Sequence, residues 1–425
     1  MLRVAYACIA VDNVRARRRV VFLNLGGGPS RSTSGFGFTE GGLAHAVNAF
    51  SPLADEYDVD VACPNVGAES DLEELTHAGV RIHCPPRPAL VRWANIGELS
   101  LSERSLHAAF HWPAIASAYV TAYILTAKLQ PDIVLANGIF GSFLLGRHRD
   151  RWPCIAVIHH LYHDAWTYGA LHGPSGPVPP FEKSLIQRLD VDGIAVVNPA
   201  VESRLREAKG QSCIVSFVGN GVDTNRYAFR TDKDTDCLVY IGRLREGKRV
   251  QDLIEAFAIV SSSRPRAVLH IVGDGPQRRS LEALAQTRGL GNRIAFHGFV
   301  SEDEKIALLR RASLYLSASR FEGFGIPLVE AMATGAVPVV TDIPAHRFVF
   351  RDRQVGWITS SPAEMADAVL ALLDDDLLRR TKAREGRWLV EQEWTWMGVA
   401  RRYHGLIETV LRTRKLRGTR LANPG

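Results

Sequence analysis

Apolar residues in this chain fall into short unbroken runs separated by longer amphipathic stretches. VVFLNL (20–25), VDVAC (59–63), RIHC (81–84), IVLAN (133–137), CIAVIHH (154–160), GIAVVN (193–198) and CIVSFV (213–218) succeed one another. Runs of this kind, with little polar alternation, read as strands buried on both faces. Between them the periodicity predicts a helix from about Gly42, with Leu43, Ala46, Val47 and Phe50 on one face. Further helices are expected across 100–129, near 180–189 and from Pro199. TDKDTD (231–236) is polar and turn-forming and reads as a linker. The pattern then restarts with CLVYIG (237–242), VLHIVG (268–273), IAFHG (294–298), SLYLSA (313–318) and VPVVT (337–341). Helices are expected at 250–262, from Gln277, near 303–311, at 326–334, 361–373 and 376–391, and in the closing stretch 394–411. Such alternation predicts an α/β chain with parallel sheets covered by helices on both faces. No repeat of solenoid length interrupts it.

The stretch SRFEGFGIPLVEAMATGAVPVVTD (319–342) organises the second half. A Gly-containing loop at Glu322-Gly323-Phe324-Gly325 leads into a helix from about Ile326 to Thr334. Pro327 suits a first helical turn, where its missing N–H is no loss, and Gly335 suits the C-terminal stop. Glycines let backbone approach a ligand closely, and the N–H groups at a helix start attract anions. An ionised carboxylate only accepts hydrogen bonds, so Glu322 and Glu330 suit hydroxyl pairs better than phosphates. The order acceptor, phosphate cradle, acceptor matches a sugar, a diphosphate and a ribose. GRLREGK (242–248) adds Arg243 and Lys248, cations suited to a diphosphate leaving group.

Composition narrows the function classes. The 425 residues suffice for two domains, and 46% hydrophobic with 23% charged residues is globular. No apolar run is long enough to span a bilayer. VAYACIAV near the start is short and is followed by Asp12 and basic residues, so it does not read as a secretory signal. Residues 1–18 read as an extension. The six cysteines show no CxxC spacing and read as buried thiols of a reducing, cytoplasmic compartment. A pI near 9 suggests nucleic acid. The positive charge, however, sits at the ends: Arg15, Arg17, Arg18 and Arg19, then Arg412, Arg414, Lys415, Arg417 and Arg420. Those nine cations exceed the formal net charge of +6, leaving the rest near neutral. Nucleic acid is therefore not the expected partner. Solvated tails and peripheral contact with an anionic membrane both fit the basic ends.

FEGFGIPLVEAMATGAVPVV resembles the E-x7-E signature of the retaining glycosyltransferases of family 4, which have the GT-B fold. Thr39-Glu40-Gly41-Gly42, GNGVDTNRY (219–227) and WTWMGVARRYHGLIETVL (394–411) resemble the family's glycine pair, inter-domain turn and crossing helix. The likeness covers roughly 19–412 and is strongest in the second half. It implies two Rossmann-like domains facing across a cleft: an acceptor-side domain at 19–218, a nucleotide-sugar domain at 219–393, the crossing helix 394–412, and a basic tail at 413–425. It implies Gly41, Gly42, Phe324, Gly325, Ile326 and Glu330 around the donor. HGFVSEDEK (297–305) would be the base-binding turn, with Val300 against the base and Glu302 or Lys305 at its edge or the ribose, unless Ser301 merely caps a helix. PDIVLANG (131–138) departs from the family's His-containing pattern, with Leu135 and Asn137 at those positions. His159, with His160 beside it, keeps the next family histidine; a buried structural role also fits.

What the resemblance implies is a sugar transfer from a GDP- or UDP-sugar to a glycan, lipid-linked or small-molecule acceptor. No cofactor and no metal are expected, and no side chain stands out as a covalent nucleophile. Glu322, Arg243, Lys248 and His159 are the expected catalytic group, with Asn137 and His160 on the acceptor side. D-x-D triplets occur at 58–60, 190–192, 232–234 and 234–236. The first two precede strands, at the end where ligands do not bind. An epimerase of the same fold and a non-catalytic nucleotide-sugar-binding protein are the alternatives.

Overall fold

The computed structural model describes residues 17–23, 30–32, 35–37, 41–63, 74–83, 120–159, 180–210 and 212–422. These form two lobes, each built on a parallel sheet. The first sheet contains β1 (Arg18–Leu23), β4 (Tyr57–Ala62), β5 (Glu74–His77), β6 (Val80–His83), β7 (Ile133–Asn137), β8 (Cys154–Ile158), β9 (Gly193–Val196) and β10 (Ile214–Phe217). Its spatial order is β10-β9-β8-β7-β1-β4-β6-β5, and only β5 runs antiparallel to its neighbour. A small hairpin pairs β2 (Ser30–Ser32) with β3 (Gly35–Gly37).

The second sheet contains β11 (Asp234–Ile241), β12 (Val268–Val272), β13 (Ile294–Gly298), β14 (Ala312–Ser317), β15 (Val337–Thr341) and β16 (Trp357–Thr359), in the order β13-β12-β11-β14-β15-β16. All five of its pairings are parallel. Each sheet reverses its winding direction once, between β1 and β7 in the first and between β11 and β14 in the second. Ligands of open parallel sheets bind beyond the carboxyl ends of the strands at such points.

The apolar runs become two-faced strands as expected. Side chains alternate along β1, so Val20 and Phe22 enter one core while Val21 and Leu23 enter the other. In β11, Leu238 and Tyr240 face one side, and Cys237 and Val239 the other. Cys63, Cys154 and Cys237 are buried thiols and Cys213 is half-buried; Cys8 and Cys84 lie outside the described residues.

The lobes are joined twice. The chain passes from β10 to β11 through Gly219–Asp223. It returns through Thr395 into the long helix Trp396–Ala422. Trp394, fully buried in the second lobe, donates from Nε1 to the Val349 carbonyl at 3.0 Å. From two turns into this helix, Tyr403, Leu406, Ile407 and Val410 are buried in the first lobe's core. Full burial of such side chains stabilises by roughly 1.5–3 kcal/mol each, which holds the helix across the junction.

Two sequence expectations need correction here. The stretch after Arg412 is not a loose tail: the helix runs on to Ala422, and Arg414 reaches Asp192 at 3.2 Å. Asp234 and Asp236 do not lie in a linker but open β11, where Asp234 pairs with Arg311 and Asp236 with Arg266. Polar strand starts look like turns because an exposed strand end has no apolar signature.

Candidate functional site

The helix Ile326–Thr334 forms as its residues dictate. Gly325 precedes it in the left-handed region, at φ 90° and ψ 52°, and Gly335 ends it at φ 89°. A Cβ at Gly335 would come within 2.7 Å of the Phe229 ring, so glycine is required there on both counts. No side chain caps the first turn, and Pro327 contributes no N–H. The helix start is therefore left to a ligand or to water. From Leu328 to Thr334 every residue is buried, which fixes the helix against the sheet.

Two loops meet beside this helix start. One follows β11 and holds Lys248; the other follows β14 and holds Glu322. They dock through the Arg320 N–H, which donates to the Gly247 carbonyl at 2.9 Å. Lys248 Nζ then lies 2.6 Å from Glu322 Oε1, and the Ser319 hydroxyl donates to the same oxygen at 2.8 Å. Burial by itself would raise the Glu322 carboxyl. The Lys248 ammonium, with help from His346 and Ser319, overcomes it and holds the group below the ordinary glutamate range. Lys248, not Arg243, makes this ion pair; Arg243 stands exposed at the rim of the same loop.

One turn into the helix, Glu330 is buried. Its Oε1 accepts from Lys305 Nζ and from the Tyr227 hydroxyl, both at 2.9 Å. Its Oε2 is buried with no partner. Burial raises the Glu330 pKa, Lys305 opposes this, and Glu302 adds to it. Burial works against the Lys305 ammonium too, yet Glu330 and Glu302 together hold its pKa above the ordinary lysine value. Lys305 lies 3.0 Å from Glu302, which also accepts from the Tyr227 hydroxyl. Ser301 does cap the helix Glu302–Arg311, in a reciprocal pair with Glu304. So Lys305 serves Glu330 first.

Phe324 is a correction. It was expected at the donor, but it is 5% exposed and stacks edge-on against Trp394 at 5.2 Å. Val300 likewise leans on the core, while its neighbour Phe299 is 78% exposed. Ile326 is exposed at the helix start.

Across the junction, the first lobe offers a second group at its own reversal point. Gly41 and Gly42 open the helix Gly41–Phe50. Asn137 ends β7, and its side-chain oxygen lies 2.9 Å from His159 Nε2, just past β8. The two residues singled out in the sequence are thus brought together; His160, Thr39 and Glu40 lie outside the described residues. The His45 and His159 rings meet edge to face at 5.1 Å. His45 is buried, with Nδ1 2.9 Å from Asn220 Oδ1 and Nε2 2.8 Å from the Tyr403 hydroxyl. Burial pushes its pKa from 6.5 down to about 4, although the Asn220 bond works the other way.

Three residues escaped sequence reasoning: Tyr227, His45 and His346. Tyr227 sits four residues past the Asp223 carbonyl, which holds its N–H at 2.8 Å. That turn aims it at Glu330, and the aromatic in NRY was the only available signal. His346, 1% exposed, is held through Nδ1 by the Thr341 carbonyl at 2.7 Å. Nothing local marked either histidine.

Among the described residues, no group of three His, Cys, Asp or Glu is arranged to hold a metal, and no helix is long and apolar enough to cross a membrane. Among the acids of the D-x-D triplets, Asp60 pairs with Arg81 at 2.8 Å, Asp190 with Arg149, and Asp192 with Arg414.

Two family profiles match this chain. "Glycosyltransferase Family 4" matches residues 41–226, and "Glycosyl transferases group 1" matches residues 222–387. Glycogen synthase of Mycobacterium tuberculosis is 28% identical over 284 residues, covering 64% of this chain and 67% of that protein. Phosphatidyl-myo-inositol mannosyltransferase of the same organism is 29% identical over 275 residues, covering 61% and 68%. Among solved structures, sucrose-phosphate synthase from Thermosynechococcus elongatus superposes with a TM-score of 0.73 at 18% identity, over 93% of this chain and all of that one. Anabaena HepE in complex with UDP and glucose gives 0.67 at 17% identity, over 92% and 100%.

Proposed function

Given that the chain belongs to the glycosyltransferases of family 4 and has the GT-B fold, we propose that its donor is a nucleotide-diphosphate sugar and that transfer retains the anomeric configuration. The observation that carries this reading is the unpartnered Oε2 of Glu330, buried one turn inside a glycine-started helix. A buried carboxylate oxygen without a donor is costly. A ribose diol supplies the missing donors, and Lys305 and Tyr227 hold the carboxylate ready for it.

The other parts follow from charge. The diphosphate lies at the uncapped helix start, where N–H groups favour anions. Lys248 neutralises the leaving group as its bond to the sugar breaks, and Arg243 closes over it from the rim. Glu322, kept ionised by Lys248, accepts from hydroxyls of the transferred sugar. Its carboxylate is committed to Lys248 and Ser319, which suits positioning better than attack. The acceptor hydroxyl then approaches from the side the donor leaves, and the departing diphosphate takes its proton. Positioning and electrostatics carry such a step without a covalent enzyme intermediate. Asn137 and His159 face the acceptor side. The diphosphate has its cations in Lys248 and the helix start, so the proposed step uses no metal.

The helix Trp396–Ala422 carries Arg412, Arg414 and Lys415, with Leu416 exposed beside them. This end touches anionic membrane when the acceptor is lipid-linked. Replacing Arg412 and Lys415 by Glu then lowers co-sedimentation with phosphatidylglycerol vesicles; unchanged co-sedimentation removes the membrane contact.

The main test follows the nucleotide. Donors are ranked by thermal shift, and release of free nucleotide diphosphate is measured with and without acceptor. Release that depends on acceptor, with an α-linked product from an α-linked donor, supports the proposal. Turnover without acceptor points to an epimerase, and binding without turnover over a broad acceptor panel to a binding module.

A further inference from the structure

The carboxyl end of the helix Ile326–Thr334 meets a second, unrelated set of cations. A cavity of about 40 Å³ lies under Gly335, at the amino-terminal edge of the second sheet. It is therefore at the opposite end of the strands from the donor. Its walls include Arg230, Lys233, Arg379 and Arg380, against the single carboxylate of Asp376. That carboxylate is already shared, by Arg379 and by Arg380 at 2.6 Å. Arg379 is 7% exposed and also donates to the Leu372 carbonyl at 2.9 Å and the Thr235 hydroxyl at 3.2 Å. Lys233 Nζ donates to the Leu309 carbonyl at 2.8 Å. An ammonium has three donors, and no carboxylate lines the cavity for this one. Four basic side chains against one acid give the cavity a cationic lining. Arg379 is buried and Lys233 half-buried in its floor, while Arg230 and Arg380 stand exposed at its opening. A charge withdrawn from water, as at the floor, is stabilised by a counter-ion beside it.

We propose that this cavity is a binding site for a phosphate-class oxyanion, held by Lys233 and Arg380 with Arg230 closing the open side. Its size fits the chemistry. A water needs roughly 10–15 Å³ of such space, so the cavity holds about three waters, or one tetrahedral phosphoryl group, and no nucleotide. Burial, reinforced by Arg230 and Arg310, pushes the Lys233 ammonium down to about 7. An anion beside it restores the charged form. The phosphoryl group is either free phosphate or the phosphate of a small metabolite whose remainder projects through the open side.

The test is a titration of the full chain with potassium phosphate, at ionic strength held constant with KCl, read as thermal unfolding. A ligand that binds only the folded state raises stability as its concentration passes Kd. The expected result is a saturable rise in wild type, weakened about tenfold or more in Lys233→Met and in Arg380→Gln, corresponding to about 1.4 kcal/mol. Arg380 is half-exposed, so its variant folds even if Lys233→Met is compromised. Saturating UDP or GDP must leave the response in place. A hexose 6-phosphate that binds more tightly than phosphate identifies a metabolite as the ligand; equal or weaker binding identifies free phosphate. No saturable response overturns the site. So does a response in both variants equal to that of wild type, or one abolished by nucleotide or by Lys248→Ala, which would assign the anion to the donor cradle.

Discussion

His45 ties three parts of the chain together, and its titration gives a quantitative test of the junction. Its ring is buried between Asn220 of the inter-lobe turn and Tyr403 of the crossing helix. Its pKa falls from 6.5 to about 4 in the folded protein because burial disfavours the imidazolium. Between those values the unfolded chain holds a proton that the folded chain refuses. Stability therefore rises with pH across this window and is lost as pH falls through it. From pH 7 to pH 4.5 the loss from this single group comes to about 2–3 kcal/mol. His45→Gln can keep one hydrogen bond but cannot titrate. The expected result, from urea denaturation at pH 7, 5.5 and 4.5, is a wild type well ahead at pH 7 whose lead shrinks by about 2–3 kcal/mol at pH 4.5. A gap that stays constant over this range would refute the reasoning, since it would mean that the folded state accommodates the charged ring.

Three further outcomes test the donor site. Glu330→Gln weakens nucleotide binding, whereas Glu322→Gln lowers turnover more than nucleotide affinity; isothermal titration with nucleotide alone, beside steady-state rates, separates them, and equal losses in both variants remove the division of roles. Lys248→Ala lowers kcat on the order of 10²-fold, as loss of one charge-stabilising donor does, and moves the acid limb of the rate profile upward because Glu322 loses the cation that holds its pKa down; a near-normal rate places the phosphate cradle elsewhere. Turnover in excess EDTA equals turnover with added Mg²⁺ or Mn²⁺, and loss in EDTA rescued by metal would overturn the proposed mechanism.

Local pattern carried much of this architecture. Apolar runs predicted the long strands, and Gly325 and Gly335 predicted both ends of the donor helix, because φ near 90° is a demand that few residues meet. Ser301 was legible as a cap because its hydroxyl can accept an N–H of the first turn and Glu304 stands three positions on. Short elements were not legible: β5, β16 and the β2–β3 hairpin span three or four residues each, too few to show a period. Within the site, the E-x7-E spacing marked two carboxylates but not what holds them. Tyr227 and Glu330 are 103 positions apart, His45 and Tyr403 358 apart. Such pairings are set by packing across the whole chain. Phe324 shows the converse: its neighbours in sequence suggested a ligand, and Trp394, seventy positions on, claimed it.

The two passages between the lobes run side by side. Val222 and Thr395 form a parallel bridge, and the Val222 N–H donates to the Trp394 carbonyl at 2.8 Å. At Gly221 the passages lie so close that a Cβ would come within 2.5 Å of the Trp396 nitrogen. For anyone recombining such enzymes, this double seam sets a rule of transplantation. A chimera made by one splice near residue 222 takes its acceptor half from one parent but leaves the returning strand and helix from the other. Those two must then match a foreign glycine, a foreign Asn220 and a foreign His45. Exchange of donor specificity therefore calls for two splices, one on each passage, so that both plies of the seam come from the same parent.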